Sequence, residues 1–194
     1  MTGEYVTEWE DPADLLVALE KAYGIPVRAE YVEEHPVLLP PREDSHDHCA
    51  SELAFQLHNA GVRPGKGNGY RIGSPGDWSG ALVIPDFSVL RREPTAADEA
   101  RYQAHEGWYP VDLLGLVGEV TSSLHEIDSG PKYRAYASAG VPVYALIHRQ
   151  AGKAYAFSHP AAGEYTTEVE VEIGHTLPLP TPYPALETAF MVES

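Results

Sequence analysis

The sequence predicts an α/β or α+β fold, a mixed central sheet flanked by helices with additional antiparallel strands at the C-terminal end. Three observations carry this. The runs ALVIPDFSVL (81–90) and DLLGLVGEVTSS (112–123) are apolar at successive positions, as in strands covered on both faces. Segments with helical spacing lie before and after these strands. Near the C-terminus, Lys153–Ser158 and Tyr165–Ile173 alternate as antiparallel strands do, with Gly163 to turn between them.

The elements follow in order. Asp11–Pro12 reads as an N-cap with proline at the first helical position, opening a helix through Tyr23 that Gly24 stops. Val27–Val32 and Val37–Leu39 read as a hairpin turning at Glu33–His35 and ending at Pro40–Pro41. Ser45–Ala60 has helical periodicity at Cys49, Leu53, Phe55 and Leu57; Ser45 or Asp47 would cap it and Gly61 would close it. GVRPGKGNG (61–69) is a loop by composition, and Tyr70–Ile72 a short strand. Residues 81–90 form one strand with a bulge at Pro85–Asp86. Residues 91–108 read as a long, mobile loop with room for a helical turn. Asp112–Thr121 is a strand, Pro131–Ala139 a helix closed by Gly140, and Pro142–His148 a strand. Ala185–Val192 reads as a closing helix. There is no internal repeat.

A chain of 194 residues with 43% hydrophobic and 22% charged content suits one domain, 1–194, with residues 1–10 as a flexible N-terminus. No apolar stretch reaches the roughly 18 residues that a membrane span needs, and the acidic start is no secretory signal. The single cysteine, Cys49, excludes an internal disulfide framework and points to a reducing cytoplasm. The net charge of −16 argues against non-specific nucleic-acid binding on a broad basic face. It leaves room for a local basic cleft and suits carboxylates gathered around a divalent cation, although solubility is its simplest reading.

The carboxylates inside the apolar strands carry the chemistry. Asp86 interrupts the first run and Glu119 the second. An unpaired buried carboxylate costs several kcal/mol, on the order of the desolvation of one ion. If the strands are neighbours, the two carboxylates meet and need a cation between them or a shared proton. A hard ion such as Mg²⁺ takes oxygen ligands of this kind. The alternative is structural: Asp86 caps backbone at a bulge and Glu119 pairs with an arginine. Asp128 and Lys132 stand four apart at a helix start, which is either a cap with its helical partner or an ammonium placed to neutralise charge at the site.

Together, Pro85-Asp86, Glu119-Val120-Thr121-Ser122, Asp128 with Lys132, Tyr136 and the stretch GVPVY (140–144) resemble the Uma2 family, which is similar to the PD-(D/E)xK restriction-endonuclease-like nucleases. RAEYVEEHPVLLPP with the following histidine-containing helix, and the tail from FSHPAAGEY to LPLP, extend the resemblance over roughly residues 10–190. It implies a restriction-endonuclease-like fold and an endonuclease that hydrolyses DNA with Mg²⁺ or Mn²⁺. Asp86 and Glu119 would be metal ligands, the main-chain oxygen of Val120 would complete their shell, and Glu30 would be a further acidic group. The motif's lysine would fall at Thr121 and is missing. The resemblance moves that role to Lys132, with Asp128, Thr121 and His48 (or His46) around the site. The rival reading is the same fold without catalysis, a binding or regulatory protein; a third is a structural protein whose carboxylates only cap and pair.

Weaker signals complete the reading. Arg91–Arg92 and the group Arg63, Lys66 and Arg71 are the basic clusters where DNA phosphates would sit. Trp78, Trp108 and Tyr109 could stack on bases, though rim packing is the simpler role. SHDHC (45–49) lacks the second ligand pair of a zinc site. GKGNGYRIG lacks the context of a phosphate-binding loop. A homodimer is possible, with PVYALIH or the C-terminal strands as an interface edge.

Overall fold

The fold is described from a computed structural model covering residues 9–23, 27–39, 41–104, 107–121 and 125–192. Gly24, Pro40 and most of the predicted flexible N-terminus lie outside these. The elements are α1 (Pro12–Ala22), β1 (Arg28–Val32), β2 (His35–Leu39), α2 (Asp44–Asn59), β3 (Pro64–Gly65), β4 (Gly69–Ile72), β5 (Ala81–Val83), β6 (Phe87–Leu90), α3 (Ala96–Ala104), β7 (Trp108–Pro110) and β8 (Leu114–Val120). There follow α4 (His125–Ile127), a π-helical turn (Asp128–Lys132), α5 (Tyr133–Ser138), β9 (Val143–His148), β10 (Lys153–Ala161), β11 (Glu164–Glu172), β12 (Thr176–Leu177) and β13 (Leu186–Glu187).

The strands form mixed sheets. One has the order β2-β1-β5-β4-β7, the second β11-β10-β9-β8-β6-β3, and β12-β13 is a small pair. Parallel pairs are β4–β7 and β8–β9; β6–β8, β9–β10 and β10–β11 are antiparallel. Alternation, with one irregular step between Leu114 and Leu116 where β8 pairs with β6, divides β8 between two cores. Leu116 and Val120 pack with Ala50, Leu53 and Leu57 of α2. Leu114 and Val117 pack with Tyr136 and Ala137 of α5. Helices therefore cover both faces of the six-stranded sheet, as the apolar runs predict.

The run 81–90 is not one bulged strand. Ala81–Val83 joins the five-stranded sheet and Phe87–Leu90 the six-stranded one, so residues 84–86 cross between them. Pro85 has no N–H for a ladder, which favours a break there. The crossing leaves Asp86 at the junction of the two sheets.

Other expectations are corrected. β9, the PVYALIH strand, runs between β8 and β10 and offers no edge; β11 is the edge strand on that side. The strand expected from Asp112 opens with a 3₁₀ turn, Val111–Leu113, before β8. The loop expected over 91–108 contains α3. Its start is fixed by Thr95 and Asp98, since Thr95 N–H and Oγ1 both donate to Asp98 Oδ2 at 2.7 Å. α2 is capped by neither Ser45 nor Asp47: Glu43 holds the N-cap position with extended backbone and no side-chain bond. Ala185–Val192 is β13 and a 3₁₀ turn, Ala189–Met191, because pairing with β12 claims the backbone. The helix expected from Pro131 begins at His125 and passes through the π turn, which accommodates Pro131.

Candidate active site: carboxylates and cations at the junction of two sheets

Asp86, Glu119, Lys132, Glu30 and Asp128 line one pocket of about 180 Å³, together with Val120, Arg42 and His46. Each element delivers its residue for a local reason. In β1, Ala29 and Tyr31 point into the core beneath α1, so Glu30 points the other way with Val32, toward the six-stranded sheet. Glu119 lies on the α5 face of β8. The π turn carries Asp128 and Lys132, and both are buried.

Lys132 is the hub. Its Nζ lies 2.9 Å from Glu30 Oε1, 2.9 Å from Glu119 Oε1 and 3.5 Å from Asp128 Oδ1. Tyr136 donates to the same Glu119 oxygen at 2.8 Å, and the Ile84 N–H donates to Glu30 Oε1 at 2.5 Å. Tyr144 OH holds the Asp128 carbonyl at 2.8 Å. Three carboxylates around one ammonium leave an excess of negative charge. Burial, and repulsion from Asp86, Asp128 and Glu30 that Lys132 only partly relieves, push Glu119 well above the ordinary carboxylate range. Burial likewise pushes Asp128 up to about 6, against the pull of Lys132. Burial opposes the Lys132 charge, but Glu119, Glu30 and Asp128 outweigh it and raise its pKa.

Asp86 is held differently. Its Oδ2 accepts from the Val120 N–H at 2.8 Å and lies 3.2 Å from His46 Nε2; its Oδ1 meets Arg42 at 2.9 Å. His46 Nε2 also donates to the Val120 carbonyl at 2.8 Å. Burial opposes ionisation of Asp86, but the His46 bond and the His46 and Arg42 charges hold it below the usual range.

The predicted residues do not all converge. Thr121 is buried but is committed elsewhere: it donates to Gln150 Oε1 at 2.6 Å and accepts from the Arg149 N–H at 2.9 Å. Lys132 stands beside Glu119 instead. His46, not His48, reaches the pocket. His48 lines a separate hollow with Cys49 and Arg149, and its ring meets Phe190 edge-on at 6.0 Å. Arg91 and Arg92 follow the far end of β6 from Asp86; Arg91 donates to the Asp112 carbonyl and Arg92 pairs with Asp98 and Asp112. Arg71 is bound to Asp11 and Lys66 to Ser51. Trp108 is core, Trp78 packs on Tyr31, and Tyr109 stacks on Tyr102.

Sequence reasoning missed Arg42 and gave second place to His46. Helical spacing signals His46, since it precedes the buried Ala50, Leu53 and Leu57 by four, seven and eleven positions on one face of α2. Arg42 stands in irregular chain before α2, where no periodicity marks it.

The donor set fits a hard divalent ion in its chemistry. The carboxylates of Asp86 and Glu119 and the Val120 carbonyl are all oxygens. Glu30 Oε2 is buried without a hydrogen-bond partner among the described residues, which leaves the pocket one acceptor in need of a proton or a cation. Among the described residues no three His, Cys, Asp or Glu side chains are grouped to hold a metal. Two carboxylates with waters suffice for Mg²⁺.

No curated protein matches the chain. Among solved structures, it is similar to the crystal structure of "a putative nuclease belonging to DUF820" from Anabaena variabilis, with a TM-score of 0.56 and 15% identity, covering 90% of this chain and 97% of that one. The fold is therefore shared. A family model described as "Putative restriction endonuclease" matches residues 17–191, and by that match the chain belongs to the Uma2 family.

Proposed function

We propose that this protein is a divalent-metal-dependent endonuclease that hydrolyses DNA phosphodiester bonds, with Asp86 and Glu119 as metal ligands and the Val120 carbonyl beside them. The observation that carries this reading is the convergence of Asp86, Glu119 and Lys132 in one pocket, from a sheet junction, a neighbouring strand and a π turn. The family description and the similar nuclease support it.

Mg²⁺ or Mn²⁺, once bound, would activate water and neutralise charge on the scissile phosphate. The chain supplies the rest. Lys132 is fixed by Glu30, Glu119 and Asp128, so its ammonium is positioned without reorganisation to balance charge that develops on phosphate oxygens. Tyr136 orients Glu119. The Val120 N–H and His46 orient Asp86 and tie it to the end of β8. Glu30 comes from one sheet and Glu119 from the other, which supports one functional unit built by the whole chain.

The test is incubation with plasmid and single-stranded DNA in Mn²⁺ or Mg²⁺, with EDTA, Asp86→Ala and Glu119→Ala as controls. Cleavage that needs the metal and both carboxylates is the expected result. A non-catalytic member of the family is the second reading, favoured by the cations already seated on both carboxylates. It predicts a folded protein that cuts neither DNA form in either metal.

A further inference from the structure

We propose that Arg42 is a displaceable occupant of the divalent-ion position on Asp86. The ion and the guanidinium compete at Oδ1, and the displaced Arg42 turns to a phosphate of the bound nucleic acid. The inference rests on the nuclease reading and adds to it a residue that binds substrate and couples substrate binding to the metal.

The argument begins with the two oxygens of Asp86. Oδ2 is taken from inside the protein by the Val120 N–H and by His46 Nε2. Both are immobile: one is strand backbone, and the other is a ring whose side chain is only 6% exposed. Oδ1 is therefore the oxygen that Asp86 has to offer, and Arg42 lies on it at 2.9 Å. A cation and a guanidinium at contact distance on that one oxygen repel each other, so each weakens the other's hold on it.

The nitrogen groups of Lys132, His46 and Arg42 at the pocket differ in their freedom to move. Lys132 is 4% exposed and bound to three carboxylates. His46 is wedged between Asp86 and the Val120 carbonyl. Arg42 is 33% exposed, stands in irregular chain and, among the described residues, has only the half-exposed Asp47, at 3.6 Å, as a second carboxylate partner. Leaving Asp86 costs it little, because a solvated guanidinium on a long side chain regains hydration and rotamer freedom. From the pocket rim its planar fork suits a phosphate, which it can bind through two parallel hydrogen bonds. The rearrangement links metal arrival to substrate grip, and the linkage is reciprocal.

The test titrates Mn²⁺ calorimetrically into the full-length wild type, Arg42→Ala, Arg42→Gln and Asp86→Ala, with circular dichroism to confirm folding. Anisotropy of a fluorescein-labelled oligonucleotide in Ca²⁺ follows substrate binding by the same proteins. Both Arg42 variants are expected to bind Mn²⁺ about two- to fivefold tighter than wild type, the range set by removing one partly exposed charge contact. They are expected to bind the oligonucleotide more weakly. Equal Mn²⁺ affinity in wild type and variants, or undiminished oligonucleotide binding, overturns the proposal while the metal site stands. Absence of Mn²⁺ binding in every protein, or binding that Asp86→Ala leaves intact, overturns the metal reading itself and this proposal with it.

Discussion

Asp11 accepts from the Ala13 N–H, the Gly76 N–H and both terminal nitrogens of Arg71, whose side chain is nearly buried. Replacing it by alanine removes a helix cap and strands a buried guanidinium, so Asp11→Ala is expected to cost about 2–4 kcal/mol, read from urea unfolding at pH 7. Burial opposes ionisation of Asp11, but Arg71 and the two amides hold its carboxyl below the usual value. A depressed folded pKa contributes stability above the unfolded value of about 3.9, and that contribution is lost as pH falls through the folded pKa. Asp11→Asn should therefore lose less stability than wild type between pH 7 and pH 3. Lys132 is the opposite case, one cation for three carboxylates. Lys132→Met leaves Glu30, Glu119 and Asp128 buried without it and is expected to cost about 3–5 kcal/mol by the same measurement. Sequence could nominate such residues where a charge interrupts an apolar run, as Asp86 and Glu119 do, or where a cap motif announces it, as Asp11–Pro12 does. It could not show that Arg91 and Arg92 are spent on Asp98 and Asp112, because nothing local pairs residue 92 with residue 112.

Strand β8 carries the site because its neighbours fit it closely. Gly118 faces Phe87 of β6 across the antiparallel pair, and a Cβ there would lie 2.0–2.4 Å from the Phe87 ring. Gly118→Ala therefore forces β6 and β8 apart beside both carboxylates, since Asp86 precedes Phe87 and Glu119 follows Gly118. It is expected to destabilise by about 1–3 kcal/mol, the usual cost of overpacking. It should also abolish most cleavage at temperatures where circular dichroism shows the variant folded. Elements were legible where one periodicity ran unbroken: α1, α2, the β10–β11 hairpin and the apolar body of β8. They were misread where tertiary pairing decided. The apolar run 81–90 looks like one strand, yet its halves belong to different sheets. α3 was read as no more than a helical turn in a loop, although Thr95 and Asp98 have the spacing of a capping box.

The whole molecule sets the electrostatic terms on which a substrate approaches. The class of fold was legible because buried strands and amphipathic helices alternate along the chain; the division into two sheets was not, since it depends on which strands pair at long range. A net charge of −16 repels a polyanion, and the cations around the carboxylates lie in a local cleft. On the proposed reading a divalent ion would relieve that repulsion at the site itself, and it would stabilise the state that binds it: at one hundred times its Kd it adds about 2.7 kcal/mol. Mn²⁺ should therefore raise the melting temperature of the wild type and not of Asp86→Ala. The number of phosphates gripped follows from the same geometry. Lys132 is enclosed by carboxylates, which leaves Arg42 at the rim to meet the backbone on the proposed reading. Each neutralised phosphate contributes about −0.9 to the slope of log Kobs against log salt concentration. Oligonucleotide binding in Ca²⁺ should therefore show a slope of about −1. A slope of about −5 or steeper would place the nucleic acid on a basic surface other than this cleft, and with it the chemistry that the carboxylates are proposed to perform.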